Sequence, residues 1–338
     1  MKAAFIDKPR SLNIVDRDIP SVKPREAIIK VHACGVCGTD IHIYEGVMPW
    51  ARLPLIPGHE FSGVVVDVGE NVDTISIGDV VAVDPNITCG LCRYCRSGRR
   101  NLCSKVESIG VTRDGGFAEY VVAPVSQLYK IPSGLSLDEA AFTEPVACCL
   151  HGISRLSIKP GEDVLIVGAG PIGLIHLQLA RRAGAGRVIV VEVNDIRLKL
   201  AEKLGADLTV NPSEEDVVKA VNGFLRGKAV EAAIDAAGGS KPLALALKCL
   251  EPGGRLLVFG VASEDDMWSI KPYEIYKFEL TIVGSFINPY EMEAALNLLA
   301  SGAVDVKPLI SHIVGLKDLE KALKREIPNT IKVLVKPQ

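Results

Sequence analysis

The chain has 338 residues, of which 48% are hydrophobic and 23% charged, and its formal net charge is −3. The length suits about two domains, and the composition is typical of a globular protein with a large buried core. The slightly acidic balance excludes a general attraction to nucleic acid or to an anionic membrane surface.

The N-terminal sequence MKAAFIDKPRSLN lacks the unbroken apolar stretch of a secretory signal. The most apolar run, residues 164–180, is interrupted by glycine, proline and histidine, which argues against a membrane helix. We therefore expect a cytoplasmic protein, in which cysteines serve in metal binding or catalysis rather than in disulfides. Four cysteines stand in apolar surroundings, and we expect them to be small buried hydrophobic side chains. They are Cys34, Cys148, Cys149 and Cys249.

The first part of the chain, to about Pro132, predicts β-structure. Its short runs of Val and Ile, such as AIIKVHAC, FSGVVVDVG and VVAVDP, are separated by turn signals that contain Gly, Pro and Asn. This pattern predicts a compact and partly open β-barrel.

From about Gly161 the pattern changes to alternating strands and helices. Strands are predicted at residues 164–168, 187–192, 208–210, 231–237, 255–260 and 280–286. Such alternation predicts a doubly wound parallel sheet with helices on both faces. An amphipathic helix, EMEAALNLLASG, follows, and we expect the last β segment, IKVLVKP, to pair with the N-terminal barrel. The predicted domains are a barrel domain of residues 1–149 and 288–338 and a doubly wound domain of residues 150–287.

The segment VLIVGAGPIGLIHL carries the pattern Gly168-x-Gly170-x-x-Gly173 between a buried-type strand and a helix. These glycines permit a tight turn and a close approach of the backbone to a pyrophosphate, which the helix N-terminus attracts. The motif alone is weak evidence, but Glu192 ends the next predicted strand, where a carboxylate accepts hydrogen bonds from ribose hydroxyls. A solvated charge is the alternative interpretation of Glu192.

A carboxylate at residue 192 would repel a 2′-phosphate, so NAD is favoured over NADP, although Arg197 could offset that repulsion. The predicted coenzyme-binding residues are Gly168, Gly170, Pro171, Ile172, Gly173, Glu192 and Arg197.

The cluster Cys89-x-x-Cys92-x-x-Cys95-x7-Cys103 predicts a structural zinc lobe at about residues 86–106. Four thiolates with short spacers bind one tetrahedral Zn²⁺ and leave no position for a substrate. An iron–sulfur cluster is one alternative, but the fourth cysteine of the bacterial ferredoxin motif is followed by Pro, and here a serine follows. A nucleic-acid-binding zinc ribbon is another, but the chain holds no second such module. We expect the basic residues of the lobe to form a solvated face: Arg93, Arg96, Arg99, Arg100 and Lys105.

Four further metal-ligating residues are dispersed: Cys37 in CGVCGTDIH, His59 and Glu60 in PGHEF, and Glu144 in TEPVACC. Taken alone, each has an ordinary structural interpretation as a core cysteine, a hydrogen-bonded histidine or a carboxylate that begins a helix. Their spacing does not prove that they meet. A mixed sulfur, nitrogen and oxygen set with one exchangeable water is nevertheless the open arrangement of a catalytic zinc, and the dinucleotide motif in the same chain favours that interpretation.

In chain order, the motifs CGTDIH, GHE, the four-cysteine lobe, GGFAEY, EP and GAGPIG resemble the zinc-containing medium-chain dehydrogenase/reductase family across essentially the whole chain. The resemblance implies an α/β protein with a GroES-like β-barrel catalytic domain and a Rossmann coenzyme domain. It implies a catalytic zinc at Cys37, His59 and Glu144, with Glu60 either a ligand or directly behind the ion. With the four-cysteine lobe, two Zn per chain are expected.

The resemblance also implies a reaction. Zinc acts as a Lewis acid on the substrate hydroxyl, and Thr39 and His42 match the family's relay, which passes the hydroxyl proton by way of the coenzyme ribose to solvent. The coenzyme accepts the hydride, and a ketone results.

Within the family the chain resembles the polyol (sorbitol-like) and threonine dehydrogenases. Glu144 stands where liver-type alcohol dehydrogenases carry a cysteine, while Ile287 stands where animal sorbitol dehydrogenases carry an arginine. The Gly-Asn-Ala run of threonine dehydrogenases is absent after Pro145. The expected reaction is oxidation of a secondary alcohol of a polyol or sugar alcohol, with an L-threonine 3-dehydrogenase-like activity as the alternative.

Two other functions fit part of the pattern. A zinc-free reductase of the same superfamily leaves Cys37, His59 and Glu144 unexplained. A non-catalytic nucleotide-binding redox or metal sensor would use the basic cysteine lobe as a partner surface. We expect a small-molecule alcohol as substrate, no nucleic acid or membrane partner, and a homo-oligomer, a tetramer or dimer, joined as in relatives through the strand near residues 280–286.

Overall fold

The strands of the protein coincide with the runs of Val, Ile and Ala in the sequence. The computed structural model describes all of residues 1–338. The strands are β1 (Lys2–Lys8), β2 (Ser11–Asp16), β3 (Glu26–Gly35), β4 (Glu60–Val68), β5 (Val80–Val83), β6 (Asn86–Ile87), β7 (Glu107–Ser108), β8 (Tyr120–Pro124), β9 (Leu128–Lys130), β10 (Val164–Val167), β11 (Val188–Val191), β12 (Leu208–Val210), β13 (Val230–Asp235), β14 (Leu250–Val258), β15 (Thr281–Gly284), β16 (Ile310–Gly315) and β17 (Lys332–Lys336).

Most of the helices lie in the second half of the chain. They are α1 (Gly38–Glu45), α2 (Arg93–Arg96), α3 (Leu137–Ala140), α4 (Thr143–Leu156), α5 (Pro171–Arg182), α6 (Asp195–Lys203), α7 (Val217–Phe224), α8 (Ser240–Lys248), α9 (Pro272–Lys277), α10 (Met292–Ala300) and α11 (Leu319–Leu323). Short 3₁₀ turns occupy Arg100–Leu102, Val125–Gln127, Lys307–Leu309 and Leu316–Asp318. None of the helices combines the length and the apolar character that a membrane crossing requires.

The chain divides into two units, each built around its own main sheet. The first unit comprises Met1–Ala147, Asn288–Gly302 and Val306–Gln338, and the second comprises Cys148–Ile287 and Ala303–Asp305. The predicted division after residue 149 differs by two residues from this one, because it falls inside helix α4.

The short segment Ala303–Asp305 groups with the second unit, whereas the sequence placed it in the first domain. The amide of Gln178 donates to the Asp305 carbonyl at 3.0 Å, and its oxygen accepts from the Asp305 N–H at 2.7 Å. Arg182 Nε donates to the Ala303 carbonyl at 3.2 Å. These contacts to backbone more than a hundred residues away leave no mark in the local sequence pattern.

The first unit contains a mostly antiparallel sheet with the strand order β16-β17-β3-β4-β5-β9, in which β8 also pairs with β3. β3 is almost fully buried because β4, β8 and β17 all pair with it. The C-terminal strand β17 pairs with β3 at Leu334↔Gly35 and Val335↔Cys34, which confirms the predicted return of this segment to the barrel. β16 was not predicted, because its sequence ISHIVG is half-buried and lacks a continuous apolar run.

The core of the first unit is one large cluster of buried side chains from strands and loops. Phe61, Phe117 and Leu55 are 2% exposed or less and pack in one cluster with the buried Val and Ile side chains of β3, β4 and β5. Burial of such side chains contributes roughly 1.5–3 kcal/mol each. The core thus fixes the ends of β3 and β4, where the candidate ligands lie.

The second unit contains a six-stranded, fully parallel sheet with the order β12-β11-β10-β13-β14-β15. Renumbered from β10, this is the order 3-2-1-4-5-6 of the doubly wound dinucleotide-binding fold. β10 and β11, VLIV and VIVV, are buried on both faces, as expected for central parallel strands covered by helices. The predicted strands are confirmed apart from their ends, of which the largest change is the start of β14 at Leu250 rather than residue 255.

Candidate metal centres and dinucleotide site

The four cysteines of the lobe come together around one point. Their sulfur atoms all lie within 4.8 Å of one another, with Cys89 and Cys103 sulfurs 3.5 Å apart and Cys92 and Cys95 sulfurs 3.6 Å apart. Four bonds of about 2.3 Å in a tetrahedron place sulfurs roughly 3.8 Å apart. The donor set therefore fits one tetrahedral zinc with a closed shell.

The surroundings of the lobe lower the pKa of the Cys89 and Cys92 thiols and raise the pKa of the Cys95 thiol. Hydrogen bonds from backbone N–H groups, of which that of Cys95 has the largest effect, lower the pKa of the Cys92 thiol to about 6. Burial and its hydrogen bond to Cys92 raise the pKa of the Cys95 thiol to about 11. Thiols that bind a metal do so as thiolates, so the lobe would release protons when the ion binds.

The expectation that all the basic residues of the lobe are solvated is wrong for Arg100. Its side chain is 13% exposed, and its Nη2 donates to the Asn86 carbonyl at 3.0 Å and to the Gln127 side chain at 3.3 Å and lies 3.4 Å from Asp84 Oδ2. Arg100 ties the lobe to the barrel. The other four basic residues of the lobe are exposed.

The ends of two antiparallel strands bring the dispersed ligands together. Gly35, the last residue of β3, lies opposite Glu60, the first residue of β4. Cys37 follows β3 as the N-cap of α1, and His59 immediately precedes β4. Consequently one ligand atom each of Cys37, His59 and Glu60 lies within 4.8 Å of the other two.

Asp40, which sequence reasoning missed, holds this group together from within α1. Its fully buried carboxylate accepts hydrogen bonds from the N–H groups of Cys37 at 2.8 Å and Gly58 at 3.2 Å. His59 Nδ1 lies 3.4 Å from Asp40 Oδ1, a long contact that is more ionic than hydrogen-bonded. A carboxylate behind a ligand imidazole orients the ring and makes it a better donor. The only sequence signal was its position inside CGTDIH.

The pKa of His59 depends on its burial and on its neighbours Asp40 and Cys37. Burial lowers the pKa of the imidazole, but attraction and hydrogen bonding from Asp40, together with Cys37, outweigh burial and raise the pKa well above its usual value. An imidazole between the acidic groups of Asp40 and Cys37 lies in a position that favours a bound cation, either a proton or a divalent metal ion.

Lys332 is the second residue that sequence reasoning missed. Its Nζ makes an ion pair with Glu60 Oε2, and the two side chains are 5% and 1% exposed. Burial lowers the pKa of Lys332, but the charges of Glu60 and Cys37 outweigh it and raise the pKa. Nothing in IKVLVKP marks this lysine, because the contact joins the last strand to the start of β4, far away in the sequence.

The remaining predicted residues of this site lie in the same unit. Glu144 is buried, 7% exposed, in the first turn of α4, and it is not a member of the group formed by Cys37, His59 and Glu60. Thr39 and His42 are half-buried and three residues apart on α1, a spacing that puts both on one face of the helix. The burial expected for the four other cysteines is confirmed, and each is unbridged. The expected apolar surroundings are wrong for Cys34, because the charges of Asp40, Glu60 and Lys332 act on its thiol.

The glycine-rich turn of the second unit has the form a dinucleotide requires. Gly168 has φ 103°, and a Cβ on Gly173 would lie 1.8 Å from the Gly168 carbonyl oxygen. A Cβ on Gly170 would meet nothing within 4 Å, so this face of the turn is open. Helix α5 begins at Pro171 with Gly170 as its N-cap, and its first-turn N–H groups, including that of Ile172, have no partner within the helix.

Glu192 is bound to the glycine-rich turn itself. Its Oε2 accepts from the Ala169 N–H at 2.9 Å, and its Oε1 accepts from Val193 and Asn194 at 2.8 and 3.1 Å. Arg197 Nη1 lies 3.7 Å from Oε2. A carboxylate can accept about four hydrogen bonds. Glu192 therefore stabilises the turn and can still accept a hydrogen bond from a hydroxyl group.

A doubly wound unit with this turn and a barrel unit with two thiolate-containing ligand groups define a metal- and dinucleotide-dependent oxidoreductase. The comparisons with known proteins agree. Residues 23–133 match the family model described as alcohol dehydrogenase GroES-like domain, and residues 171–301 match the one described as zinc-binding dehydrogenase.

Relatives cover nearly the whole chain. A sorbitol dehydrogenase of Bacillus subtilis is 34% identical over 100% of this chain and 97% of its own length. An L-threonine 3-dehydrogenase of Pyrococcus horikoshii is 38% identical over 88% of this chain and 87% of its own. A solved structure from Sinorhizobium meliloti, described as a zinc-binding dehydrogenase bound to NADP, is 40% identical over 99% of both chains with a TM-score of 0.96. The chain belongs to the zinc-containing medium-chain dehydrogenase/reductase family.

Proposed function

We propose that the protein oxidises a secondary alcohol of a polyol or sugar alcohol to a ketone, with NAD as hydride acceptor. Zinc would be held at Cys37, His59 and Glu144, with Glu60 either a further ligand or directly behind the ion. The observation that carries the proposal is the convergence of the Cys37, His59 and Glu60 ligand atoms within 4.8 Å in a chain that also has the open glycine-rich turn. The similarity to a sorbitol dehydrogenase along the entire chain supports the polyol.

The chain's residues have distinct tasks in this proposal. Bound zinc supplies Lewis acidity at the substrate hydroxyl, and the nicotinamide supplies the redox chemistry. Cys37 and His59 anchor the ion, and Asp40 fixes the His59 ring. Thr39 would hydrogen-bond to the substrate hydroxyl and pass its proton, by way of the coenzyme ribose, to His42, which would release it to solvent.

Glu144 supports a substrate with more than one hydroxyl group. A carboxylate ligand in place of a thiolate makes the zinc centre harder and its oxygen ligands easier to exchange. A polyol that offers two oxygens to the ion suits such a centre.

NAD is proposed rather than NADP because Glu192 would repel a 2′-phosphate. Arg197 is already engaged with Glu192 at 3.7 Å, which weakens its ability to attract an added phosphate. The NADP in the Sinorhizobium meliloti structure belongs to that protein.

A second candidate is an L-threonine 3-dehydrogenase-like oxidation, favoured by the 38% identity to the Pyrococcus horikoshii enzyme. We also propose a homo-oligomer, a tetramer, and a cytoplasmic location, in which nine unbridged cysteines are stable.

A substrate screen tests the proposal. The purified protein is incubated with a panel of polyols, polyol phosphates, simple secondary alcohols and L-threonine, with NAD and NADP side by side, and reduction is followed at 340 nm. We expect the highest kcat/KM with NAD and a polyol. A preference for L-threonine would replace the first candidate by the second, and no reduction with any alcohol would contradict both.

A further inference from the structure

The turn between β13 and α8, residues 236–239, contains two consecutive glycines, and the tasks assigned above do not use it. Gly238 and Gly239 have φ values of 78° and 112°, in the left-handed region that glycine enters without steric cost. Two successive glycines also have more conformational freedom than any other pair of residues. The shape of this double-glycine turn therefore has to be imposed by its contacts, because the entropy of the backbone opposes any single conformation.

The double-glycine turn packs directly on the glycine-rich turn after β10. A Cβ on Gly168 would lie 3.0 Å from the backbone nitrogen of Ala237 and 3.1 Å from its Cβ. The order of the strands reverses between β10 and β13, and in doubly wound sheets the ligand binds outside the carboxyl ends of the strands at that point. The double-glycine turn is therefore a wall of the dinucleotide site.

Two carboxylates hold this wall, one from the interior and one from the surface. Asp235 Oδ1 accepts hydrogen bonds from the N–H groups of Ala237 and Gly238 at 3.0 and 2.9 Å. Asp266 Oδ2, in the exposed loop after β14, accepts from the Ser240 N–H at 2.7 Å. Hydrogen bonds from the Ser240 side chain and N–H lower the pKa of Asp266, so this side chain is a carboxylate at neutral pH.

Asp266 supplies a cap that helix α8 lacks. Gly239 occupies the N-cap position and has no side chain to accept a hydrogen bond from the first turn, whereas a carboxylate there satisfies a free N–H and faces the positive end of the helix. Both ends of the loop that carries Asp266 are fixed in the second unit. A Cβ on Gly260 would lie 2.1 Å from the Gly238 nitrogen, and Trp268 packs against the core cluster of this unit.

We propose that Asp266 is a positioning residue for the coenzyme. By capping α8 from the loop after β14, it holds the double-glycine turn in the one conformation that the dinucleotide binds. The inference rests on the proposed function in that the protein has to bind NADH. Without the cap, part of the free protein has the turn in other conformations, and the apparent dissociation constant rises as the competent fraction falls.

The test is the affinity for NADH, measured by fluorescence titration. In Asp266→Ala the dissociation constant should rise about three- to tenfold, within the range that loss of a helix N-cap gives. The KM for NAD should rise with it. The kcat and the KM for the alcohol at saturating NAD should stay at the wild-type values, because bound coenzyme keeps the turn in place.

Asp266→Asn separates the cap from the charge. Asparagine caps a helix about as well as aspartate does, so this variant should bind NADH as the wild type does. If the negative charge of Asp266 acted on the anionic coenzyme directly, both variants would bind NADH more tightly than the wild type.

Two further variants make the result specific. Asp265→Ala removes the neighbouring exposed carboxylate of the same loop and should leave the affinity unchanged. Ser240→Pro removes the N–H that Asp266 accepts, at a first helical position where proline is tolerated. Asp266→Ala should have no additional effect in that background.

Wild-type or tighter affinity in Asp266→Ala overturns the inference, as does an equal loss in Asp266→Asn or a loss that persists in the Ser240→Pro background. Failure of the proposed function gives a different result. The substrate screen would then show no reduction of coenzyme, whereas the comparison of NADH affinities would still decide the role of Asp266. A wild-type protein that does not bind NADH would contradict both proposals.

Discussion

At the scale of single residues, the candidate centre depends on how His59 is held. Asp40 lies 3.4 Å from Nδ1, and this fixes which ring nitrogen faces the carboxylate and leaves the other for an ion. Asp40 is itself fixed by the N–H groups of Cys37 and Gly58. Because Asp40 already holds the His59 ring, the ligand residues need little rearrangement to accept a metal.

Removing either anchoring ligand should separate catalysis from coenzyme binding. We expect Cys37→Ser and His59→Ala each to lower kcat by at least about a hundredfold, since loss of a group behind a ligand alone costs 10–100-fold. NADH affinity, measured by fluorescence titration, should stay at the wild-type value. Cys249→Ala, at a buried cysteine of the second unit, is the control and should retain activity. Full turnover in either ligand variant would remove the site assignment.

Glu144 tests the link between the metal and the substrate class. Glu144→Cys should reduce kcat/KM for polyols more than for simple secondary alcohols, because a thiolate makes the ion softer and less able to take a second oxygen. NAD binding should not change. An equal loss for both kinds of alcohol, or a matching loss of NAD binding, would count against Glu144 as a ligand.

At the scale of elements, the turn between β10 and α5 has no room for a side chain at Gly173. In Gly173→Ala the new Cβ would meet the Gly168 carbonyl oxygen, so the turn must open and the helix N-terminus must shift. We expect the dissociation constant for NADH to rise at least about tenfold, which corresponds to about 1.4 kcal/mol, with an unchanged metal content.

The matched control for this turn is Gly223→Ala on α7. Its Cβ would meet nothing within 4 Å, and NADH affinity should be that of the wild type. Wild-type affinity in Gly173→Ala would show that the coenzyme does not use this turn.

Helix α5 also carries a buried histidine that makes the second unit sensitive to acid. His176 is fully buried against Phe259, with ring centres 4.6 Å apart, and burial lowers its pKa to about 3. The unfolded chain therefore binds a proton below about pH 6.5 that the folded chain does not, and stability falls as the pH drops from 6.5 towards 3.

Between pH 7.5 and pH 5 this residue alone should cost about 2 kcal/mol of unfolding free energy. His176→Leu should reduce the pH dependence of the urea unfolding of the second unit by about that amount. An unchanged dependence in the variant would mean that His176 is not buried in its neutral form.

Features whose residues are close together in the sequence could be predicted from it, and features built from distant residues could not. The β10–α5 turn and the cysteine lobe were predictable because their residues are close in sequence and their chemistry requires that spacing. The convergence of Cys37 with His59 depends on the pairing of β3 with β4, which the family resemblance implied and the local pattern did not. Lys332 and the segment 303–305 act across long sequence separations through single contacts, which produce no periodicity.

At the scale of the whole molecule, the exposed edge of the six-stranded sheet is the surface through which we expect the proposed oligomer to form. β15, TIVG, is mostly exposed although apolar, and Ile282 and Phe278 are each 37% exposed. An unpaired apolar edge strand invites pairing with a second copy.

Ile282→Asp would place like charges in contact across such a two-fold interface. Light scattering after size-exclusion chromatography should show a tetramer for the wild type and a smaller species for the variant. A monomeric wild type, or a variant of unchanged mass, would contradict this interface.

We expect one ion between Cys37 and His59 and a second in the cysteine lobe. Anomalous scattering from crystals of the purified protein, recorded on both sides of the zinc absorption edge, tests this expectation most directly. We expect two peaks per chain. One of them should lie within bonding distance of Cys37 Sγ and of a His59 ring nitrogen, about 2.3 Å for sulfur and 2.0–2.1 Å for nitrogen. A single peak in the lobe, from protein that turns over alcohol, would contradict it.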